Sequence, residues 1–328
     1  MIFKKIPYEK VLYEWLNNKR KTIKKSTYIK YLYIIETHII SVLGSIDFKK
    51  LKSNDIISFL GKEDINTLAN STKTSILLIL KSSIKYDLDM KYRKSFDALD
   101  IKYKKEKNEI TYFTIKEQEI IEDYIKSNMN IRNLSILVAL YTGVRIGELC
   151  ALKGTDIDFI NNTISINKTV QRIKNTDGTS KTKLVIDIPK TKSSIRVIPV
   201  SEYIIEFLKK YIDNENNYIF TGSDKPKDPR TVGRYFERLL EKLNIKQINF
   251  HSLRHTFATR LREQKVDIKV ISQLLGHSNW KTTQEIYVHA TFDSIKQSVC
   301  DLCSSLISKC SQKEYVLRTF LLTFIHFI

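Results

Sequence analysis

Cysteine is scarce in this chain: four residues in 328, with Cys150 alone and Cys300, Cys303 and Cys310 close together. That number and spacing exclude a disulfide framework and read as reduced, intracellular thiols. Cys300 and Cys303 have the spacing that opens a zinc site, but no second pair and no histidine follows at ligand spacing, so no metal is expected. A phosphate-cradling glycine loop and a carboxylate cluster are missing too. Met1-Ile2-Phe3-Lys4-Lys5-Ile6-Pro7 has neither the apolar stretch nor the small-residue cleavage site of a secretory signal. Long apolar runs are confined to Val316 to Ile328, which is shorter than the ~20 residues a bilayer demands and contains Arg318 and His326. This tail reads as an element packed on the protein or on a neighbour, or as an extension from an AT-rich gene. A cytoplasmic protein without a membrane partner is expected.

Acidic residues are in deficit. Lys and Arg number 55 against 36 Asp and Glu, a net charge of +19 spread along the chain. The charge alone fits a solvated, lysine-rich surface. Because the basic residues alternate with aromatics and apolar helix faces, a polyanion is the better reading, nucleic acid before membrane. The length suits about two domains, each with its own core. No internal repeat or low-complexity segment is visible.

Residues 6 to 100 read as several short helices. Tyr8, Val11, Leu12, Trp15 and Leu16 recur at three- and four-residue steps, as do Tyr28, Tyr31, Leu32, Ile35 and Ile39. Ser26 or Thr27 is the expected cap of the second helix. Ile76 to Leu80 reads as a buried helix opened by Ser71-Thr72-Lys73-Thr74. Residues 101–109, rich in charge and without core-forming period, read as a linker. Beyond it, Thr114-Ile115-Lys116-Glu117 has the form of a capping box, and the apolar run Leu134 to Tyr141 ends at Gly143. Thr163 to Ile166, Leu184 to Ile188 and Ile195 to Ile198 alternate as three strands of one small antiparallel sheet, turning at Asp177-Gly178 and at Lys190 to Ser194. Helical patterns resume at Tyr203 to Tyr211 and from Thr231.

The chemistry-bearing residues lie in an ordered set. Thr142-Gly143-Val144-Arg145-Ile146-Gly147-Glu148 comes first, then His251-Ser252-Leu253-Arg254-His255, then Leu275-Gly276-His277-Ser278, then Ile286-Tyr287-Val288-His289. His251 and Arg254 share one helix face at i, i+3 spacing. Glu148 is placed to hold Arg145 or a nearby imidazole, although a surface Arg145–Glu148 pair is the plainer alternative. Gly276 suits a helix end that aims His277 inward. The planar fork of arginine donates paired hydrogen bonds to a phosphate and keeps its charge. Two guanidiniums, two imidazoles and a tyrosine hydroxyl form an inventory for attacking a phosphodiester without a metal.

This order and spacing closely resemble the tyrosine recombinases, or phage integrases, with specific motifs over residues 110 to 292 and pattern alone over 6 to 100. The resemblance implies a mainly α fold with a small antiparallel sheet, made of an N-terminal helical, SAM-like core-binding domain (1–100) and a catalytic domain (110–292) that together clamp duplex DNA. Residues 293–328 have an uncertain role, although Asp293 to Leu306 is placed to dock on a neighbour. The resemblance further implies a catalytic set of Arg145, Lys190, His251, Arg254, His277 and Tyr287, a 3′-phosphotyrosyl intermediate on Tyr287, and neither ATP, metal nor other cofactor. Lys190 is preferred to Lys192 as the general acid because the family's lysine on this turn is often followed by threonine. His255 and His289 stay outside the set. The implied partners are double-stranded DNA and three further copies of the chain in a homotetramer, with room for an accessory directionality protein. No additional arm-binding domain is expected ahead of the core-binding domain, which leaves partner sites and directionality open. A type IB topoisomerase-like relaxase and an inactive DNA-binding regulator are the alternatives, the second opposed by the intact six-residue set.

Overall fold

The computed structural model describes residues 5–90, 95–97, 100, 101, 103, 110–175, 180–189, 192–277, 279 and 283. Most of the expected linker, the three clustered cysteines and everything from 284 onward lie outside the described residues. Two compact units result: the described residues of Met1–Glu109 with Arg172–Leu184, and those of Ile110–Gln171 with Val185–Ile328.

The first unit is built on one-sided helices. In α1 (Tyr8–Lys19) the expected stripe of Tyr8, Val11, Leu12, Trp15 and Leu16 is fully buried. Helix α2 (Lys25–Ile34) runs directly into a π-helical stretch, Ile35–Gly44, that buries Ile35, Ile39 and Leu43. Lys24, extended and without a side-chain cap, precedes α2, so the expected Ser26 or Thr27 cap is corrected: both residues lie inside the first turn. Helices α3 (Ser53–Leu60), α4 (Glu63–Asn66) and α5 (Asn70–Met90) complete the unit. The apolar run in α5 buries Ile76, Leu77, Ile79 and Leu80 and leaves Leu78 open. Tyr8 stacks on Phe48 at 5.4 Å, and its hydroxyl lies 2.7 Å from Ser83 Oγ, fastening α1 to α5.

The second unit surrounds one buried helix. Helix α6 (Ile115–Ser127) opens on the expected capping box, with Thr114 N–H donating to Glu117 Oε2 at 2.7 Å and Glu117 N–H donating to Thr114 Oγ1 at 3.2 Å. Helix α7 (Ile131–Thr142) is capped by Asn130, whose Oδ1 accepts from the backbone of Arg132 and Asn133, both at 3.0 Å. Its residues Leu134 to Leu140 are all buried, because α6, α10 (Pro229–Lys242), α11 (His251–Glu263) and two short helices, α8 (Ile146–Leu149) and α9 (Glu202–Lys210), pack around it. Helix α12 (Ile268–Leu275) packs on α11.

The strands are β1 (Ile157–Asp158), β2 (Thr163–Ile166), β3 (Thr169–Lys174), β4 (Thr182–Asp187) and β5 (Arg196–Pro199). They form an antiparallel sheet in the order β1-β2-β5 and a separate pair, β3-β4. The expected single sheet of three segments is therefore corrected: the middle segment falls largely in β4, which pairs with β3, a strand the sequence pattern does not announce. Val170 and Ile173, the buried residues of β3, stand three apart, so period-two alternation is absent. The expected class, mainly helical with a small antiparallel sheet, holds.

Gly143 ends α7 in the left-handed conformation at φ +61°, and a Cβ there would sit 2.5 Å from the ring of Phe257. Gly222 has nearly the same φ, +63°, with nothing within 4 Å. Gly222→Ala should therefore cost only the left-handed penalty, about 1–2 kcal/mol. Gly143→Ala adds an aromatic clash and should cost about 2–4 kcal/mol. Urea unfolding midpoints of the two variants measure the difference; equal losses would contradict the packing at Gly143.

Candidate active site

Arg254 lies on the inner face of α11 and is 1% exposed. Its Nη1 donates to the carbonyl of Gly143 at 2.8 Å and its Nη2 to the carbonyl of Leu275 at 2.5 Å. Those carbonyls stand at the C-terminal ends of α7 and α12, both closed by left-handed glycines, Gly143 and Gly276. A helix C-terminus carries partial negative charge, so two of them offset the cost of burying this cation. Gly276 thus ends α12 as its position before His277 suggests.

Arg145 is the N-cap of α8, and Glu148 holds it twice. Oε2 accepts from the Arg145 backbone at 2.9 Å and Oε1 from Nη1 at 2.7 Å. The side chain of Arg145 remains 36% exposed, and its Nη2 reaches the carbonyl of Gly276 at 3.4 Å, beside His277. Glu148, 3% exposed, also accepts from Nη2 of Arg196 at 2.9 Å. Burial alone would raise its pKa, but the hydrogen bond and charge of Arg196, followed by the charge of Arg145, hold it below the usual carboxylate range. Glu148 is therefore an ion-pair partner for two arginines and not a surface residue.

The histidines surround this cluster. His251 opens α11 with one side to solvent, and its ring meets that of His255 edge-on at 4.8 Å. Crowding against the protein, then the charges of His255, Arg254 and Arg145, lower its pKa to about 4. His277 follows Gly276, and its Nδ1 lies 2.7 Å from Thr283 Oγ1. Desolvation, then Arg254 and Arg145, lower its pKa to about 3. His255 is lowered by the same two influences, burial first and Arg254 second. All three imidazoles are neutral at pH 7.

Of the six expected site residues, Arg145, His251, Arg254 and His277 gather in one place, whereas Lys190 and Tyr287 lie outside the described residues. Arg196 was not anticipated. It shares a strand face with buried Ile198, and a charge at an inward-facing position demands a partner, which is the signal that singles it out. Among the described residues no group of three His, Cys, Asp or Glu is arranged to hold a metal, and no helix is long and apolar enough to cross a membrane.

Comparison with known proteins decides the family. The model of the phage integrase family matches residues 103–294, more than half of the chain, and that of the phage integrase N-terminal SAM-like domain matches residues 8–63. The chain belongs to the phage integrase family. It is a tyrosine-type site-specific recombinase, and the relaxase and inactive-regulator alternatives are not favoured. A XerC-like tyrosine recombinase of Caldanaerobacter subterraneus subsp. tengcongensis is 28% identical over 319 residues, 88% of this chain and 80% of that protein. The transposase from transposon Tn916 of Enterococcus faecalis is 27% identical, covering 86% of this chain and 74% of its own. Among solved structures, the Tn1549 transposon integrase in complex with transposon right end DNA superposes with a TM-score of 0.74 at 25% identity, over 91% of this chain and all of that one.

The neutral histidines give the recombinase a pH signature. Their folded-state pKa values lie below the unfolded value of ~6.5, so the unfolded chain binds protons first as pH falls. Stability is complete above ~6.5 and is lost progressively as pH drops toward the folded values. For His277, discounted for the screening of a partly exposed ring, the loss is on the order of 1 kcal/mol by about pH 5. The fall in urea midpoint between about pH 7.5 and 5 should shrink in His277→Asn; an undiminished fall would refute the neutral buried ring.

Proposed function

We propose that this recombinase cuts and rejoins duplex DNA of a mobile element through Tyr287. The hydroxyl oxygen of Tyr287 attacks the scissile phosphorus, the bond to the 5′ oxygen breaks, and a 3′-phosphotyrosyl bond is left. Arg145 and Arg254 stabilise the charge that develops on the non-bridging oxygens. The neutral rings of His251 and His277 can accept the proton Tyr287 loses and donate hydrogen bonds to the phosphate. Lys190 protonates the departing 5′ oxygen, a task suited to an amine whose ordinary pKa is ~10.4. An incoming 5′-hydroxyl then reverses each step, and the covalent bond conserves the energy, so the residues named need no ATP, metal or other cofactor.

The observation that carries this reading is the convergence of His251 and His277 on the guanidiniums of Arg145 and Arg254, in a chain whose family acts through a tyrosine. The +19 charge supports double-stranded DNA as the partner. So does the likeness to an integrase solved with transposon end DNA. Exchanging two duplexes requires four cuts, hence a homotetramer with one Tyr287 per cut. We place the core-binding domain at 1–100, the linker at 101–109, the catalytic domain at 110–292 and the protomer-docking segment after it. The reaction belongs in the cytoplasm with the DNA, and an accessory directionality protein is compatible with it.

With a nicked duplex built from the DNA that flanks the gene, the wild-type chain should accumulate a covalent adduct on a 3′ phosphate. Tyr287→Phe should bind the same duplex and form none; adduct in that variant would remove Tyr287 from the reaction. The general acid is tested by chemistry at the leaving atom. Lys190→Ala should fail on an ordinary phosphodiester yet cleave one whose leaving oxygen is sulfur, because a thiolate departs without a proton. Lys192→Ala should show weaker binding and no such rescue, and rescue in Lys192→Ala alone would transfer the role to Lys192.

A further inference from the structure

Arg196 has no part in the six-residue set, yet it ties together three elements of the site's framework. Its side chain is 6% exposed, and each donor nitrogen is directed at a different element. Nε donates to the carbonyl of Leu274 at the end of α12, at 2.6 Å. Nη1 donates to the carbonyl of Ser194, at 3.1 Å, in the turn Lys192–Ser194 that leads into β5. Nη2 donates to Glu148 Oε2, at 2.9 Å, inside α8. Gly276 lies against it so closely that a Cβ there would sit 3.1 Å from both Cδ and Nη1 of Arg196.

Each of those three elements adjoins in sequence one of the residues expected to act on DNA. Helix α8 is capped by Arg145, α12 leads directly to His277, and the turn before β5 follows Lys190 in the chain. A planar fork with separated donors can hold three acceptors at fixed angles, whereas an ammonium is a point charge that satisfies them with less directional control. We infer that Arg196 is a positioning residue of the recombinase: it fixes Glu148, and through Glu148 the guanidinium of Arg145, relative to His277 and to the lysine-bearing turn. It does not touch the phosphate. Its carrier strand sets its direction, because β5 pairs with β2 in a register that places Arg196 opposite Ile166.

The inference rests on the recombinase reading, and the experiment separates the two. Single-turnover adduct formation on the nicked duplex is compared with DNA affinity and melting temperature for full-length Arg196→Ala. A displacement of about 1 Å at a reacting group costs ~10²-fold in rate, so cleavage at saturating DNA should fall about that far while affinity changes less than about threefold. Arg145→Ala/Arg196→Ala should lose clearly less than the product of the two single losses, because the part of the effect that acts through Arg145 disappears when Arg145 is gone. A cavity of about 290 Å³ lined by Ser193, Ile195, Arg196, Ser272, Gln273 and His277 gives small molecules a route to the vacated place. Ethylguanidinium should therefore restore part of the Arg196→Ala rate and leave the wild-type rate unchanged. Should the alanine variant not fold, Arg196→Lys carries the test, with its charge kept, its fork lost and cleavage slowed at least about tenfold. Losses that multiply in the double variant, or a lowered melting temperature with an unaltered rate per folded molecule, would overturn the positioning role. A wild-type chain that forms no adduct would instead refute the recombinase reading before any variant is compared.

Discussion

The second unit depends on a guanidinium held where water is not. Arg254 is a cation inside a protein interior, a placement that is strongly unfavourable unless its donors are met. Here they are met by the backbone at the ends of two helices, Gly143 closing α7 and Leu275 closing α12. Backbone carbonyls have no rotamers to lose and cannot be protonated at working pH, so the charge is held by the least adjustable groups available. Both helices must stop where they do, and both stop at glycines in the left-handed conformation. The position of Arg254 and the lengths of α7 and α12 are thus one constraint stated twice.

Around that fixed charge the other groups sort themselves by electrostatics. Glu148 remains ionised despite its burial because Arg196 and Arg145 both lean on it. The histidines remain neutral because desolvation and the neighbouring arginines oppose a further positive charge. Among the described residues, three guanidiniums gather beside one carboxylate, an excess of positive charge at a partly open surface. That is the electrostatic condition for drawing in a phosphate diester, whose own charge would complete the balance.

Elements with a clear period or a local hydrogen-bond logic were legible in the sequence. The α1 stripe, the Thr114 capping box, the closure of α7 at Gly143 and the pairing of Arg145 with Glu148 each depend on residues within a few positions of one another. What escaped reading depends on distance. Strand β3 carries its buried residues three apart and exists because β4 pairs with it. The cap of α2 was misplaced because the helix begins without a side-chain cap, so Ser26 and Thr27 offered a signal the chain does not use. Arg196 looked like one more basic residue in a basic chain, since its acceptors at Glu148 and Leu274 lie 48 and 78 positions away.

The pairing of β2 with β5 has a meaning beyond the sheet. Strand residues alternate between faces, so sliding β5 by one position would turn Arg196 outward and bring exposed Val197 in. Apolar burial would hardly object to that exchange, and a shifted sheet of this size would still close. What would be lost is the alignment of three chain segments with one another, so a four-residue strand works as the indexing mark by which the enzyme's cutting edge is set.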